Sequence, residues 1–452
     1  MSQRAKKGIF ASMLCLLLVG VATVLVTTFS GMDLVVHADP TGIKYTGAGS
    51  CAAAACHGAP APKEEEACRH NENTMWGDKD QHSKSFSDPK KGLVSPEGKE
   101  IAEKMKLGDA SKAERCLTCH ALSGLGAEGK GRVFLKADQI DAAKYNVADG
   151  NSCDACHGPA SKYLPAHTAK GWTAGMRKTL GSQKLYDEWG LYDTKNLKFR
   201  ANQCLSCHLK IDADMVAAGH PELSFELDAM SNPATNDWVH WRDAEAWKGG
   251  KAWAMGQVIA LREAALQLAD RIGGKADEKL VADSYKTLIS RELTSRQIAK
   301  ALDAGSLTAL DAQLTIINGS WADGAKVVEA LKATAKAADA LADKFNDKPF
   351  DKAITETLAA GVASEGDQAA KSGFKSAEQF SMALTSLWGS VKLNAKLSDA
   401  DGKAKQDKID ALYDPLGDKG TYSADKFGPE AGKMKDVFSG GASLPLPAGG
   451  PK

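Results

Sequence analysis

The sequence of 452 residues has no cysteine to spare and no excess of charge. Of its ten cysteines, eight form four close pairs, Cys15 lies in an N-terminal apolar run and Cys68 stands alone. No further pair remains, which excludes a disulfide-stapled framework. Basic and acidic residues both number 57, with no block of like charge, and this excludes a nucleic-acid partner. Aromatic residues make up only 6%, yet Trp238, Trp241, Trp247 and Trp253 sit together just past the midpoint. Beyond residue 240 there is neither cysteine nor histidine. The second half therefore has no thiol or imidazole to offer a metal.

What is present lies in the first half. Each cysteine pair is followed at once by histidine: Cys51-Cys56-His57, Cys116-Cys119-His120, Cys153-Cys156-His157 and Cys204-Cys207-His208. Cys-x-x-Cys-His is the attachment signature of c-type haem. Each sulfur adds to one vinyl group, and the adjacent imidazole then reaches the iron. The first pair is separated by four alanines instead of two residues. A small-residue loop can bulge there while both sulfurs still reach their vinyls, and His57-Gly58 repeats the His157-Gly158 pattern. Zinc uses the same residue types, but a histidine adjacent to every pair points to haem. The expectation is four covalently bound haem c groups on Cys51, Cys56, Cys116, Cys119, Cys153, Cys156, Cys204 and Cys207, with His57, His120, His157 and His208 on iron.

Five more histidines follow Ala38: His70, His82, His167, His220 and His240. His82, His167 and His220 have the more telling local context, and Met75, Met176 and Met215 are the thioether alternatives. Two imidazoles on one iron lower its potential relative to His/Met. A six-coordinate iron transfers electrons. A five-coordinate one binds NO, nitrite or hydroxylamine. No Cys-x-x-Cys-Lys motif occurs.

Arg4, Lys6 and Lys7 precede an uncharged run from Gly8 to Phe29, and Val36-His37-Ala38 fits a small-residue cleavage site. Residues 1–38 read as a signal peptide or a retained membrane anchor, so the rest is extracytoplasmic or periplasmic, with membrane attachment through that segment as one outcome. Residues 39–240 read as a tetrahaem cytochrome c domain of few regular elements, because segments such as 87–99 and 123–131 are loop-like. In 241–438, Val258, Leu261, Ala265, Leu268 and Ile272 fall on one helix face, as do Val327, Leu331, Ala338, Leu341 and Phe345 before Pro349. A third run spans Phe380 to Leu393. This predicts a haem-free helical bundle, a boundary near Gly249-Gly250, and a disordered tail over 439–452. The fold class is mainly α.

The motif series, together with TMWGDKDQHSKSF, NSCDACHGPASKYLPAHT and CLSCHLKIDADMVAAGHPELSFEL, resembles the cytochrome c554 family of tetrahaem cytochromes over about residues 45–240. The resemblance implies haems in stacked and angled pairs that shuttle electrons between redox protein partners in nitrogen metabolism. It also implies three irons with two histidines each: His167 capping the first, His220 the third and His82 the fourth. The second haem, at His120, is then five-coordinate unless His70 or His240 closes it. Two further functions follow: reduction or oxidation of a small nitrogen species at that open haem, or docking of an electron-transfer subunit through the bundle.

Overall fold

Aspartates start the helices of the C-terminal half. The carboxylates of Asp277, Asp303, Asp323 and Asp351 accept from the backbone N–H of Lys279, Ser306, Lys326 and Ile354. Each satisfies a donor that the first helical turn leaves unpaired. They open the helices Glu278–Leu302, Ala304–Gly319, Gly324–Asn346 and Lys352–Ala363. One such cap is worth about 1 kcal/mol. Replacing Asp351 with Ala is expected to lower stability by about that amount, read from thermal unfolding followed by circular dichroism.

The computed structural model describes residues 39–451 except 64–67, 127–130, 232–245, 396–397 and 418. The export segment over 1–38, His240, Trp238, Trp241 and the boundary at residue 240 lie outside the described residues. Among those described, no helix is long and apolar enough to cross a membrane.

Lys248–Gly273 is the central helix, flanked by Glu278–Leu302, Gly324–Asn346 and Phe374–Ala395. Val258, Leu261, Ala265 and Leu268 are fully buried, as are Val327, Leu331, Ala338 and Leu341 on the second stripe. In the third run Phe380, Leu384, Leu387 and Trp388 are buried, while Leu393 faces solvent. The chain is thus mainly α, with the C-terminal helical region the periodicity predicts. Upstream lie short helices and loops, with a small antiparallel pairing of Gly124–Leu125 against Arg132–Val133.

The two halves share one core. Leu197, Ala201, Leu205, Leu209, Phe225 and Leu227 pack in the same cluster as Trp253, Val258 and Leu261. Gly249-Gly250, near which the boundary is expected, falls inside the central helix. Close approach explains one glycine nearby: a Cβ on Gly256 would lie 2.6 Å from Leu227 Cβ. Ion pairs join the same surfaces. Lys198 meets Asp343 at 2.6 Å and Asp339 at 3.2 Å, and Arg262 meets Asp339 at 2.7 Å. Lys210 pairs with Glu263, which Arg262 also holds. By packing, the fourth motif belongs to the bundle as much as to the loops before it.

The tail lies against the bundle. Arg296 donates to the carbonyls of Leu444 (3.0 Å) and Pro445 (3.2 Å), and Asn318 to that of Pro447 (2.7 Å). An extended Pro/Gly segment offers unpaired carbonyls, and partly buried donors on two bundle helices take them.

Candidate metal centres

Helical geometry explains the spacing of the later motifs. Residues three and four apart share a helix face, so Cys116, Cys119 and His120 converge from the helix Glu114–His120. Cys153–His157 is itself a short helix. The helix Leu197–Leu205 runs into the fourth motif and is capped at Asn196, whose side chain accepts from the Lys198 and Phe199 N–H. The first motif has no helix. Ala52 to Ala55 loop out into solvent, while the His57 N–H donates to the Cys51 carbonyl at 3.2 Å and closes the loop. Among the described residues, no cysteine is held in a disulfide.

The fold draws motif and non-motif histidines into facing pairs. The ring centres of His57 and His167 lie 6.3 Å apart and nearly parallel. Those of His208 and His82 are 6.4 Å apart, and those of His120 and His220 are 6.1 Å apart, both edge to face. Two imidazole nitrogens each bonded at about 2 Å to one metal put the ring centres roughly 6 Å apart. All three spacings suit a single iron between the rings.

Hydrogen bonds set the tautomers. Nδ1 of His120 donates to the Ser85 carbonyl (2.7 Å), that of His167 to the Leu164 carbonyl (2.7 Å) and that of His220 to the Pro221 carbonyl (2.9 Å). A carbonyl has no proton to give, so Nδ1 carries the hydrogen and Nε2 keeps a free lone pair, as a ligand requires. His57 and His82 use carboxylates instead: Glu72 and Asp80, both at 2.9 Å. Burial raises the Glu72 pKa, but the His57 contact outweighs it and holds the carboxyl at about 2. For His82, desolvation lowers the imidazole pKa and Asp80 more than offsets it, so the net shift is upward. Burial and the neighbouring His82 bring His208 down to about 4, and burial also lowers His120. Glu72 and Asp80 were not singled out in the sequence. The local signal was there for Asp80, two positions before His82.

The pairing differs from what the family resemblance implies. His220 faces His120, at the second motif, and not the third. The reason is a clamp on the short helix Ala213–Ala218. Arg115, inside the second motif helix, donates to Asp214 at 2.5 and 2.6 Å and to Asp212 at 2.8 Å. Gly219 then reverses the chain with φ of 110°, a left-handed turn that favours glycine, and His220 follows. His70 does not take that place: its Nδ1 contacts the Ala55 carbonyl beside the first motif at 3.0 Å. His157 ends its helix, with its carbonyl accepting from the Tyr192 N–H at 2.8 Å.

The motifs also touch through their cysteines. The side chains of Cys51 and Cys153 lie against each other, as do those of Cys119 and Cys207. Cys156 lies close to Cys204 of the fourth motif. The spatial order of motifs is therefore first, third, fourth, second. Arg132 sits among them, its Nη2 donating to the Ala155 carbonyl at 2.8 Å. Its Nη1 is buried and makes no hydrogen bond among the described residues. An orphaned guanidinium nitrogen suits a haem propionate. Ring spacing, tautomers and this donor all fit covalently attached haem.

Comparison with known proteins agrees over part of the chain. No curated protein and no solved structure matches it. The family model described as cytochrome c554 and c-prime matches residues 52–158. That span holds Cys56 and His57 of the first motif and the whole of the second and third. Over it the chain is similar to the cytochrome c554 family, a family of electron-transfer proteins with covalently bound haem c.

Proposed function

We propose that the chain is an exported tetrahaem c-type cytochrome that carries electrons between redox protein partners outside the cytoplasm. The observation that carries this reading is the set of three histidine pairs at 6.1–6.4 Å, each joining one motif histidine to one distant histidine. Haem supplies an iron that cycles between ferric and ferrous states. The protein's part is to hold that iron from both sides. His57 with His167, His120 with His220, and His208 with His82 are the proposed ligand sets, and His157 is the proposed ligand of the third motif. With imidazole on both faces, an iron offers no open position to substrate. At those three irons, electron transfer is then the chemistry that remains. The cysteine contacts supply a route whose ends are the first and second motifs and whose middle is the third and fourth. The family resemblance directs the search for partners to nitrogen-compound respiration.

Catalysis at the second motif is the reading that loses ground. It needs an open iron at His120, and the His220 ring stands there. Docking through the bundle finds no specific support either, since the bundle packs inward on residues 197–227.

Low-temperature EPR with potentiometric titration of the purified protein tests the proposal. Four haems per chain are expected, with at least three low-spin in the ferric state. A resting protein dominated by high-spin ferric iron would sink it.

A further inference from the structure

The C-terminal bundle lies outside the matched residues 52–158, and so does His220. The structure connects them. Two residues past His220, Glu222 receives Arg271 of the central helix at 3.0 Å and Lys375 of the helix Phe374–Ala395 at 2.9 Å. Arg271 is almost fully buried, and it also donates to the Ile211 carbonyl at 2.9 Å, ahead of His220. Lys375 is fixed in turn by Thr287 (2.6 Å) and the Asp283 carbonyl (3.1 Å) of a third bundle helix, Glu278–Leu302. On the other flank, Arg115 of the second motif grips Asp212 and Asp214. His220 thus hangs on a short span anchored at both ends. One anchor is the motif it faces and the other is the bundle.

We infer that the bundle and Arg115 together position His220 on the second haem, so that the helical half sets the coordination state of a centre attached at the second motif. Arg115, Arg271 and Lys375 are positioning residues; none ligates. This inference rests on the haem reading above. The physical argument is one of populations. A distal ligand on a free loop leaves the iron for part of the time, and an external ligand captures the open fraction. Anchoring the loop at both ends lowers that fraction and taxes the external ligand by the same factor. The bidentate Arg115 clamp is partly exposed, with two aspartates more exposed still. Such a pair contributes up to about 1 kcal/mol, which corresponds to about a fivefold change. The Glu222 anchor is less exposed, and its loss acts in the same direction.

The test uses the full-length haem-loaded protein with Arg115→Ala, Arg115→Lys and Glu222→Gln. Haem per chain is measured first, by the pyridine haemochrome. The ferrous protein is then titrated with carbon monoxide, and the ferric protein is examined by EPR. Arg115→Ala and Glu222→Gln are each expected to raise carbon monoxide affinity at one centre about fivefold, with a new high-spin ferric fraction. Arg115→Lys keeps the charge and recovers part of the loss. Lys403→Ala, which breaks the distant Lys403–Asp407 surface pair, is expected to change nothing. Arg115 lies at the surface, so its variants stay folded and keep the test alive if Glu222→Gln does not. Full haem content with unchanged affinity and spin state in both positioning variants would overturn the inference, as would an equal rise in Lys403→Ala. Fewer than four haems in the unaltered protein would instead strike the underlying haem reading.

Discussion

Changing Cys153 and Cys156 together to Ser is expected to remove one haem of four and to cut the route between the two ends of the array. Serine oxygen does not form the thioether that attachment requires. Total haem absorbance should fall by about a quarter, since each motif attaches one group. The effect on transfer should be larger than a quarter. Cys153 touches Cys51 of the first motif, and Cys156 lies close to Cys204 of the fourth. The third motif is therefore the bridge. The matching change at Cys116 and Cys119 removes an end of the array and leaves three motifs in contact. Stopped-flow reduction by a slow external donor distinguishes the two. Loss at the third motif should divide the reduction trace into two unconnected phases, whereas loss at the second should leave a single connected phase of lower amplitude. Equal behaviour of the two double variants would show that the cysteine contacts do not define the route.

A second large effect is expected inside the bundle, at Glu292. Its side chain is fully buried, and neither carboxylate oxygen makes a hydrogen bond among the described residues. Burial pushes its pKa up to about 8, with Arg296 opposing the rise and Asp311 adding to it. The folded state therefore holds a proton that the unfolded chain releases near pH 4.5. Stability falls with rising pH wherever the folded state binds more protons. The contribution of Glu292 should thus be intact below about pH 4.5, decline through pH 8 and then level off. At about 1.4 kcal/mol for each unit of pKa, the full span is roughly 5 kcal/mol at most. Glu292→Gln keeps the shape and removes the titration. It should flatten the decline and leave the variant the more stable protein at pH 9. Thermal unfolding at pH 5 and pH 9 checks this. A variant that loses stability equally at both would mean that Glu292 has a charged partner in the folded protein.

The sequence is most legible where chemistry is local. Thioether attachment needs two sulfurs and an imidazole within a few residues, so each motif announces itself in a short window. Helices with a buried stripe and an aspartate cap do the same, which is why Val258 to Ile272 and Val327 to Phe345 could be placed from periodicity. Legibility ends where geometry depends on distant contacts. His82, His167 and His220 stand out among the spare histidines. Which motif each one faces is decided by clamps such as Arg115 on Asp212 and Asp214, and nothing in the local sequence around either partner reveals them. The junction misled for the same reason. Gly249-Gly250 near a run of tryptophans looks like a domain boundary, yet tertiary packing runs the helix Lys248–Gly273 through the two glycines and gives the fourth motif and the bundle one core.

The histidine pairs have a consequence for how the protein matures. Their spans interleave along the chain: 57 with 167, 82 with 208, 120 with 220. A chain that emerges amino end first presents every upstream member before any downstream one. During synthesis and haem attachment, then, the irons proposed at His57 and His120 would wait half-ligated, while His82 would wait for the haem that Cys204 and Cys207 attach, so all three pairs would stand open at once. They close in a fixed succession as residues 167, 208 and 220 arrive, the first centre before the fourth and the fourth before the second. The last of them settles only when the helices behind it have packed. A chain interrupted near residue 200 would carry three haems and a single finished centre.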